Sequence, residues 1–155
     1  MEKEKYGEYY QLHLLEQYKL YVEMADRVSA RRGQTNSFYI SLLSGLLAVL
    51  SLSNNKQVIP SVHYKVLLIS VSAVGLILCF VWLFNIQSFK QLNSAKFKVV
   101  HEIEKFLPFA CYDREWELIK QARNARYLQQ TKIEQSIPLL LALPYLGLFF
   151  YALGS

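Results

Sequence analysis

Three stretches of the chain hold only apolar and uncharged polar residues, and this pattern determines the predicted architecture. Asp, Glu, Lys and Arg are absent between Arg32 and Lys56, between Lys65 and Lys90, and after Glu134. Each stretch is longer than the roughly 20 residues that a helix needs to cross a ~30 Å hydrocarbon core. The pattern therefore predicts an integral membrane protein with three transmembrane helices.

The polar segments beside these stretches also have a helical period. Residues 8–32 contain no Pro or Gly, and Leu15, Tyr18, Val22 and Ala25 recur at steps of three and four, as on the apolar face of an amphipathic helix. After the second stretch a similar rhythm continues to Pro108, which lacks an N–H and should end that helix. We therefore expect long amphipathic helices outside the membrane.

Two single residues refine this prediction. Asp113 follows Pro108 and is expected to be the N-cap of a further helix, since its carboxylate can accept hydrogen bonds from the first free N–H groups. Trp82 lies near the inner end of the second stretch, where an aromatic anchor at the membrane interface is typical.

The charge distribution predicts the orientation. The net charge is +5, with six Lys or Arg in residues 1–35, two in residues 54–65 and nine in residues 90–134. Positive residues near membrane ends favour the cytoplasmic side. Residues 1–35 and 90–134, and thus the N-terminus, are therefore expected in the cytoplasm. Because orientation accounts for this basic excess, we expect no nucleic-acid partner.

The predicted fold class is all-α: an integral membrane protein with three transmembrane helices and long amphipathic cytoplasmic helical extensions. The predicted segments are a cytoplasmic amphipathic helix at 1–35, transmembrane helix 1 at 36–53, a short external loop at 54–65, transmembrane helix 2 at 66–89, a cytoplasmic helical region at 90–134 and transmembrane helix 3 at 135–155.

A row of serines marks the first span. Ser37, Ser41, Ser44 and Ser51 recur along one helix face. One interpretation is a hydroxyl-lined path through an oligomer. The other, which we favour, is close helix packing, for which small residues are the usual choice in membranes.

Catalytic chemistry is not indicated. No Asp, Glu, Lys, Arg or His falls within the spans, which argues against a coupled transporter but not against a passive pore. GxSxG, HExxH, P-loop and GxGxxG motifs are absent from the sequence. The three histidines are far apart and more typical of a solvated helix face than of a metal site. We therefore expect no enzyme activity, no catalytic residues, no cofactor and no metal.

Two further groups of residues suggest contacts. Arg31 and Arg32 precede the first span and either bind anionic lipid headgroups or only set the orientation. Tyrosines crowd the N-terminal helix, and with Trp116 they indicate either a helical layer buried between subunits, which we favour, or packing within one subunit.

Two blocks of sequence resemble a known family. LLEQYKLYVEMADRVSARR, followed by NSFYISLLSGLLA, and the later block VVHEIEKFLPFACYDREWELI are similar to the RipA family of small octameric bacterial membrane proteins. The resemblance covers about residues 10–120. It implies a multi-pass protein of the bacterial cytoplasmic (inner) membrane that assembles as a homo-octamer, and it carries over no catalytic residue.

The resemblance also points to contact residues between helices. These candidates for oligomer or register contacts are Tyr18, Asp26, Arg27, Glu102, Glu104 and Trp116. Asp26 and Arg27 are hypothesised to meet the acids at 102–104 and fix the helix register. Reversing the charge of Glu104 should then break the oligomer.

Three functions remain open at this point. The first is a membrane-embedded ring or scaffold, with itself and membrane lipids as partners. The second is a passive pore or membrane-perturbing effector, gated by the cytoplasmic helices, as in a stress or defence system. The third is an accessory subunit for a partner that the sequence does not identify.

Overall fold

The structure is a computed structural model that describes residues 6–53, 61–121 and 130–154. Its helices are α1 (Tyr10–Ser53), α2 (Ser61–Glu104), α3 (Cys111–Gln121) and α4 (Gln130–Gly154), and no strand occurs in the described ranges. Helices α1, α2 and α4 are long and apolar enough to cross a membrane. The predicted all-α class with three membrane-spanning helices is confirmed.

Two helices are longer than the predicted segments. Helix α1 passes through Gly33, so the predicted boundary between residues 35 and 36 falls inside it. Helix α2 likewise passes through the boundary between residues 89 and 90. Of the predicted external loop at 54–65, residues 54–60 lie outside the described residues, as do residues 1–5, 122–129 and 155, and α2 has already begun at Ser61.

The chain divides into two compact units. One, here called the polar unit, consists of Met1–Arg31 and Phe89–Leu128, and the other, the apolar unit, consists of Arg32–Ser88 and Gln129–Ser155. Each long helix α1 and α2 supplies residues to both units, whereas α3 belongs to the polar unit and α4 to the apolar unit.

The core of the apolar unit is formed by α1, α2 and α4. Tyr39 and Trp82 stack with ring centroids 5.5 Å apart and nearly parallel planes, at 8°. Leu43, Cys79, Ile86 and Tyr145 complete the same buried cluster, and a second cluster holds Leu50, Leu68 and Ala152. Because membrane helices gain little from hydrophobic burial against lipid, close packing of this kind holds them together.

Hydrogen bonds tie polar side chains into that core. Trp82 Nε1 donates to Asn36 Oδ1 at 2.8 Å, and Asn85 Nδ2 donates to Tyr39 Oη at 2.8 Å. Trp82 is completely buried. The prediction that Trp82 anchors the protein at the membrane interface is therefore wrong, because the indole is used inside the subunit.

Tyr145 joins all three helices of the apolar unit. Its hydroxyl donates to the carbonyl oxygen of Leu43 on α1 at 2.5 Å. Its ring lies so close to Gly75 of α2 that a Cβ at Gly75 would collide with Tyr145 Cδ1. Only a residue without a side chain allows this approach of α4 to α2.

The helix boundaries in the polar unit also differ from prediction. Helix α2 ends at Glu104, four residues before Pro108, and its end is tightened by a hydrogen bond from Leu107 N–H to the Glu104 carbonyl at 3.0 Å. Helix α3 begins at Cys111, which places Asp113 in its first turn. Asp113 is therefore not the N-cap, and the cap comes from another helix, as described below.

The packing at Gly75 gives the first prediction. We expect Gly75→Ala to lower the free energy of unfolding by about 1–3 kcal/mol, since an added methyl group must displace the Tyr145 ring. The loss is measured as a shift in the SDS concentration that unfolds the protein in detergent. The matched control is Gly45→Ala, because nothing lies within 4 Å of a Cβ built at Gly45. Equal stability of the two variants would contradict the packing described here.

Candidate functional site: a buried carboxylate in the polar unit

A single buried carboxylate connects three helices of the polar unit. Glu104, the last residue of α2, is 1% exposed. Its Oε1 accepts a hydrogen bond from the Tyr18 hydroxyl of α1 at 2.9 Å. The same oxygen accepts the N–H of Tyr112 at 2.9 Å, and Oε2 accepts the N–H of Asp113 at 3.3 Å. Glu104 therefore caps the N-terminus of α3 from outside that helix.

The physical chemistry of helix ends explains why a charge is tolerated here. The first N–H groups of a helix have no partner within the helix, and the positive end of its dipole favours an anion. A buried carboxylate is costly unless such donors surround it. The N-terminus of α3 gains an anion and partners for its free N–H groups, and the buried Glu104 carboxylate gains hydrogen-bond donors. His101 Nδ1 is a further neighbour, 3.4 Å from Oε2.

Two tyrosine hydroxyls beside Glu104 remain protonated. Burial, followed by the hydrogen bond to Glu104, raises the pKa of Tyr18 above its ordinary value. Burial, followed by the negative charge of Asp26, raises the pKa of Tyr112. A raised pKa keeps a phenol neutral over a wider pH range. The raised pKa therefore keeps the Tyr18 hydroxyl available as a hydrogen-bond donor to Glu104 to higher pH than a free phenol would be.

The structure brings together some of the predicted contact residues. Tyr18 and Glu104 are hydrogen-bonded, and Asp26 is near enough to Tyr112 to affect its pKa. Arg27 instead pairs with Glu23 on the exposed side of α1, with Nη2 and Oε1 2.7 Å apart. Glu102 is exposed and lines a cavity of about 240 Å³ between α1 and α2. Within one chain, the proposed pairing of Arg27 with the acids at 102–104 is therefore not formed.

The two arginines before the first span differ in their surroundings. Arg31 is exposed. Arg32 lies 3.2 Å from Glu134 Oε1, and the two side chains are only 12% and 11% exposed. This ion pair joins α1 to α4 inside the apolar unit, and it was missed by sequence reasoning. A signal was present, because Arg32 and Glu134 are the last charges before two of the apolar stretches.

The predicted serine row faces away from the core of the apolar unit. At 3.6 residues per turn its members lie on the side of α1 opposite Tyr39 and Leu43. All four are exposed in the single chain: Ser37, Ser41, Ser44 and Ser51. The packing that we favoured for them is therefore not found within one subunit, and any close contact they make must be with another molecule.

Trp116 lies in an open groove of the polar unit. The groove runs between α2 and α3 and has a volume of about 500 Å³. Trp116 is 44% exposed, and Lys120 Nζ lies 5.4 Å from the centre of its ring. Among the described residues, no group of three or more His, Cys, Asp and Glu side chains is arranged to hold a metal ion.

The Glu104 cap gives the second prediction. Glu104→Gln should destabilise the attachment of α3 by about 2–4 kcal/mol, because hydrogen bonds to a charged group contribute more than neutral ones. Tyr18→Phe should cost about 1.5–3 kcal/mol, since it removes one hydrogen bond to the charged carboxylate. Both losses are measured as faster trypsin cleavage after Arg114 and Lys120 in the native protein, which reports opening of α3.

Glu102→Gln is the control for this experiment. It makes the same chemical change two residues away, at an exposed side chain. If Glu104→Gln is cleaved no faster than Glu102→Gln, Glu104 does not hold α3.

Comparison with known proteins agrees with this architecture. No curated protein and no solved structure is detectably similar to the chain. Residues 15–154, however, match the sequence profile of the octameric membrane protein family, 8xMP. The match covers nearly the whole chain, including the apolar stretches of α1, α2 and α4 and the residues around Glu104. The chain therefore belongs to the octameric membrane protein family, and it is an oligomeric membrane protein.

Proposed function

We propose that the protein is a homo-octameric scaffold, a ring embedded in the bacterial cytoplasmic (inner) membrane, with itself and membrane lipids as partners and no catalytic activity. One observation supports self-association most directly: the polar unit of a single chain leaves bulky apolar side chains uncovered. These are Phe106 at 60%, Phe109 at 64%, Trp116 at 44% and Leu118 at 51% exposed.

Apolar surface of this kind is stabilised when another molecule covers it, because its removal from water is favourable. The family description supplies the partner, because octameric assembly of this chain provides further copies of itself. The earlier resemblance to RipA proteins is consistent with the same assembly and remains part of this proposal.

The scaffold is preferred over an enzyme because of what the buried carboxylate of the polar unit does. Glu104 directs its carboxylate at the N-terminus of α3 and at Tyr18 rather than into an open cavity. Its hydrogen bonds hold helices in place. A group used in this way supports a structural role for the polar unit.

A passive pore is the second candidate, and the serine row favours it. Ser37, Ser41, Ser44 and Ser51 are exposed in the single chain on a helix face that the subunit's own core does not use. Eight such faces around one axis would line a hydroxyl-bearing path, with gating through the polar unit. The same faces packed against neighbouring helices would instead close the scaffold.

The third prediction concerns the particle mass. In mild detergent, native mass spectrometry should give about eight times the 18.1 kDa mass of one chain. The same sample in SDS should give one chain, which controls for covalent linkage. A native particle of one or two copies would contradict the octamer and leave only an accessory role.

The fourth prediction concerns orientation. Cys111 is exposed in the polar unit, whereas Cys79 is buried. If the polar unit is cytoplasmic, a membrane-impermeant maleimide should label Cys111 only after the membrane is permeabilised. The matched control carries Cys111→Ser and Gly154→Cys, and its exposed C-terminal thiol should be labelled on intact spheroplasts. Labelling of Cys111 in intact spheroplasts would reverse the proposed topology.

A further inference from the structure

The proposed octamer requires two different contact surfaces on each chain. In a closed ring with one rotation axis, each subunit meets its neighbours through two unlike faces, so a receiving surface must be matched by an inserted one. Both surfaces lie in the polar unit, and their assignment rests on the proposed octamer.

The receiving surface is the groove between α2 and α3. Its aromatic walls are Phe97, Tyr112 and Trp116, and Ile119 extends the apolar lining. Phe97 and Tyr112 contact each other edge to face at 5.5 Å, which fixes the wall between the two helices. Trp116 remains 44% exposed beside them. A tryptophan in a concave, partly apolar site is the residue type that most often dominates binding between proteins.

The inserted surface is a ridge on α1, here defined as Leu12, Glu16, Leu20 and Glu23. These residues recur at steps of four and three and are all exposed, with Leu12 at 54% and Leu20 at 55%. The opposite side of α1 carries Tyr18, Ala25 and Val28, which are the residues used inside the polar unit. The ridge therefore faces away from the residues that α1 uses inside its own polar unit and is open to another molecule.

The charges of the two surfaces are complementary. The ridge itself carries two acids, Glu16 and Glu23, and no base. The groove presents Lys98 and His101 against one acid, Glu115, and Lys120 lies over the Trp116 ring. Glu16 and Glu23 already hold Lys19 and Arg27 at 2.8 and 2.7 Å, which orders the acidic side chains on the ridge. Opposite charges across an interface favour the correct partner and register.

We propose that the α2–α3 groove of one subunit receives the α1 ridge of the next subunit around the octamer. The two leucines of the ridge would cover Trp116 and Ile119, and its acids would face Lys98 and Lys120.

Site-directed cross-linking tests this contact. In a Cys111→Ser background, the double variant Leu20→Cys and Ile119→Cys is treated with a short bis-maleimide in mild detergent. Because each chain carries one thiol on each surface, a head-to-tail contact should give a ladder of cross-linked species up to eight chains in SDS. Either single cysteine variant should give no ladder.

The matched control is Leu15→Cys with Ile119→Cys. Leu15 is exposed on the same helix but lies more than a third of a turn away from Leu20 around α1. A ladder from the Leu20 pair and none from the Leu15 pair supports the proposal. Native mass spectrometry of each variant before cross-linking shows whether a missing ladder reflects a wrong interface or the absence of an octamer.

A native mass of eight chains without a ladder, or with equal ladders from both pairs, overturns this interface while the octamer stands. The groove would then be open to another occupant, such as a small molecule. A native mass of one chain in the Cys111→Ser background overturns the octamer as well.

Discussion

A hydrocarbon core offers no hydrogen-bond partners, and this constraint explains how the apolar unit is built. Backbone groups are satisfied within the helices, which leaves the polar side chains to find partners on neighbouring helices. Asn36 meets Trp82, Asn85 meets Tyr39, and Tyr145 uses the carbonyl of Leu43. Each of these bonds crosses from one helix to another. They therefore select one packing among several that apolar contacts alone would allow.

In the polar unit, a single carboxylate, that of Glu104, stabilises a short helix. That helix, α3, has 11 residues and no buried side chain, and isolated helices of this length are marginal in water. Glu104 compensates by accepting two N–H groups at the start of α3 while Tyr18 fixes the carboxylate from α1. The groove beside Trp116 has α3 as one wall, so its shape depends on that carboxylate.

Local patterns in the sequence predicted the elements well and the contacts poorly. The charge-free stretches and the three- and four-residue period were sufficient for three spans and their helical extensions, because both are properties of neighbouring residues. The Glu104–Tyr18 bond joins positions 86 residues apart, and the Tyr145–Leu43 bond joins positions 102 apart. No periodicity encodes such pairs. Trp82 and Asp113 were misassigned for the same reason, since each was assigned from its place along the chain.

The candidate site was predicted in part. Tyr18, Glu104 and Trp116 were singled out from the family resemblance, and the structure places them in one unit, with the first two in contact. Their roles could not be predicted, because whether an acid pairs with an arginine, caps a helix or contacts another subunit depends on the tertiary arrangement. Arg32 shows this clearly: its position suggested either a contact with lipid headgroups or a signal for orientation, and neither interpretation contained its ion pair with Glu134.

The central functional claim is that the proposed ring is a scaffold without an ion path, and ion flux across proteoliposomes tests it most directly. If the ring is a scaffold, vesicles containing the protein should lose a trapped potassium gradient no faster than protein-free vesicles. Flux that rises with the amount of protein, and that falls when Ser44 is replaced by Leu, would contradict the scaffold and establish the serine-lined pore.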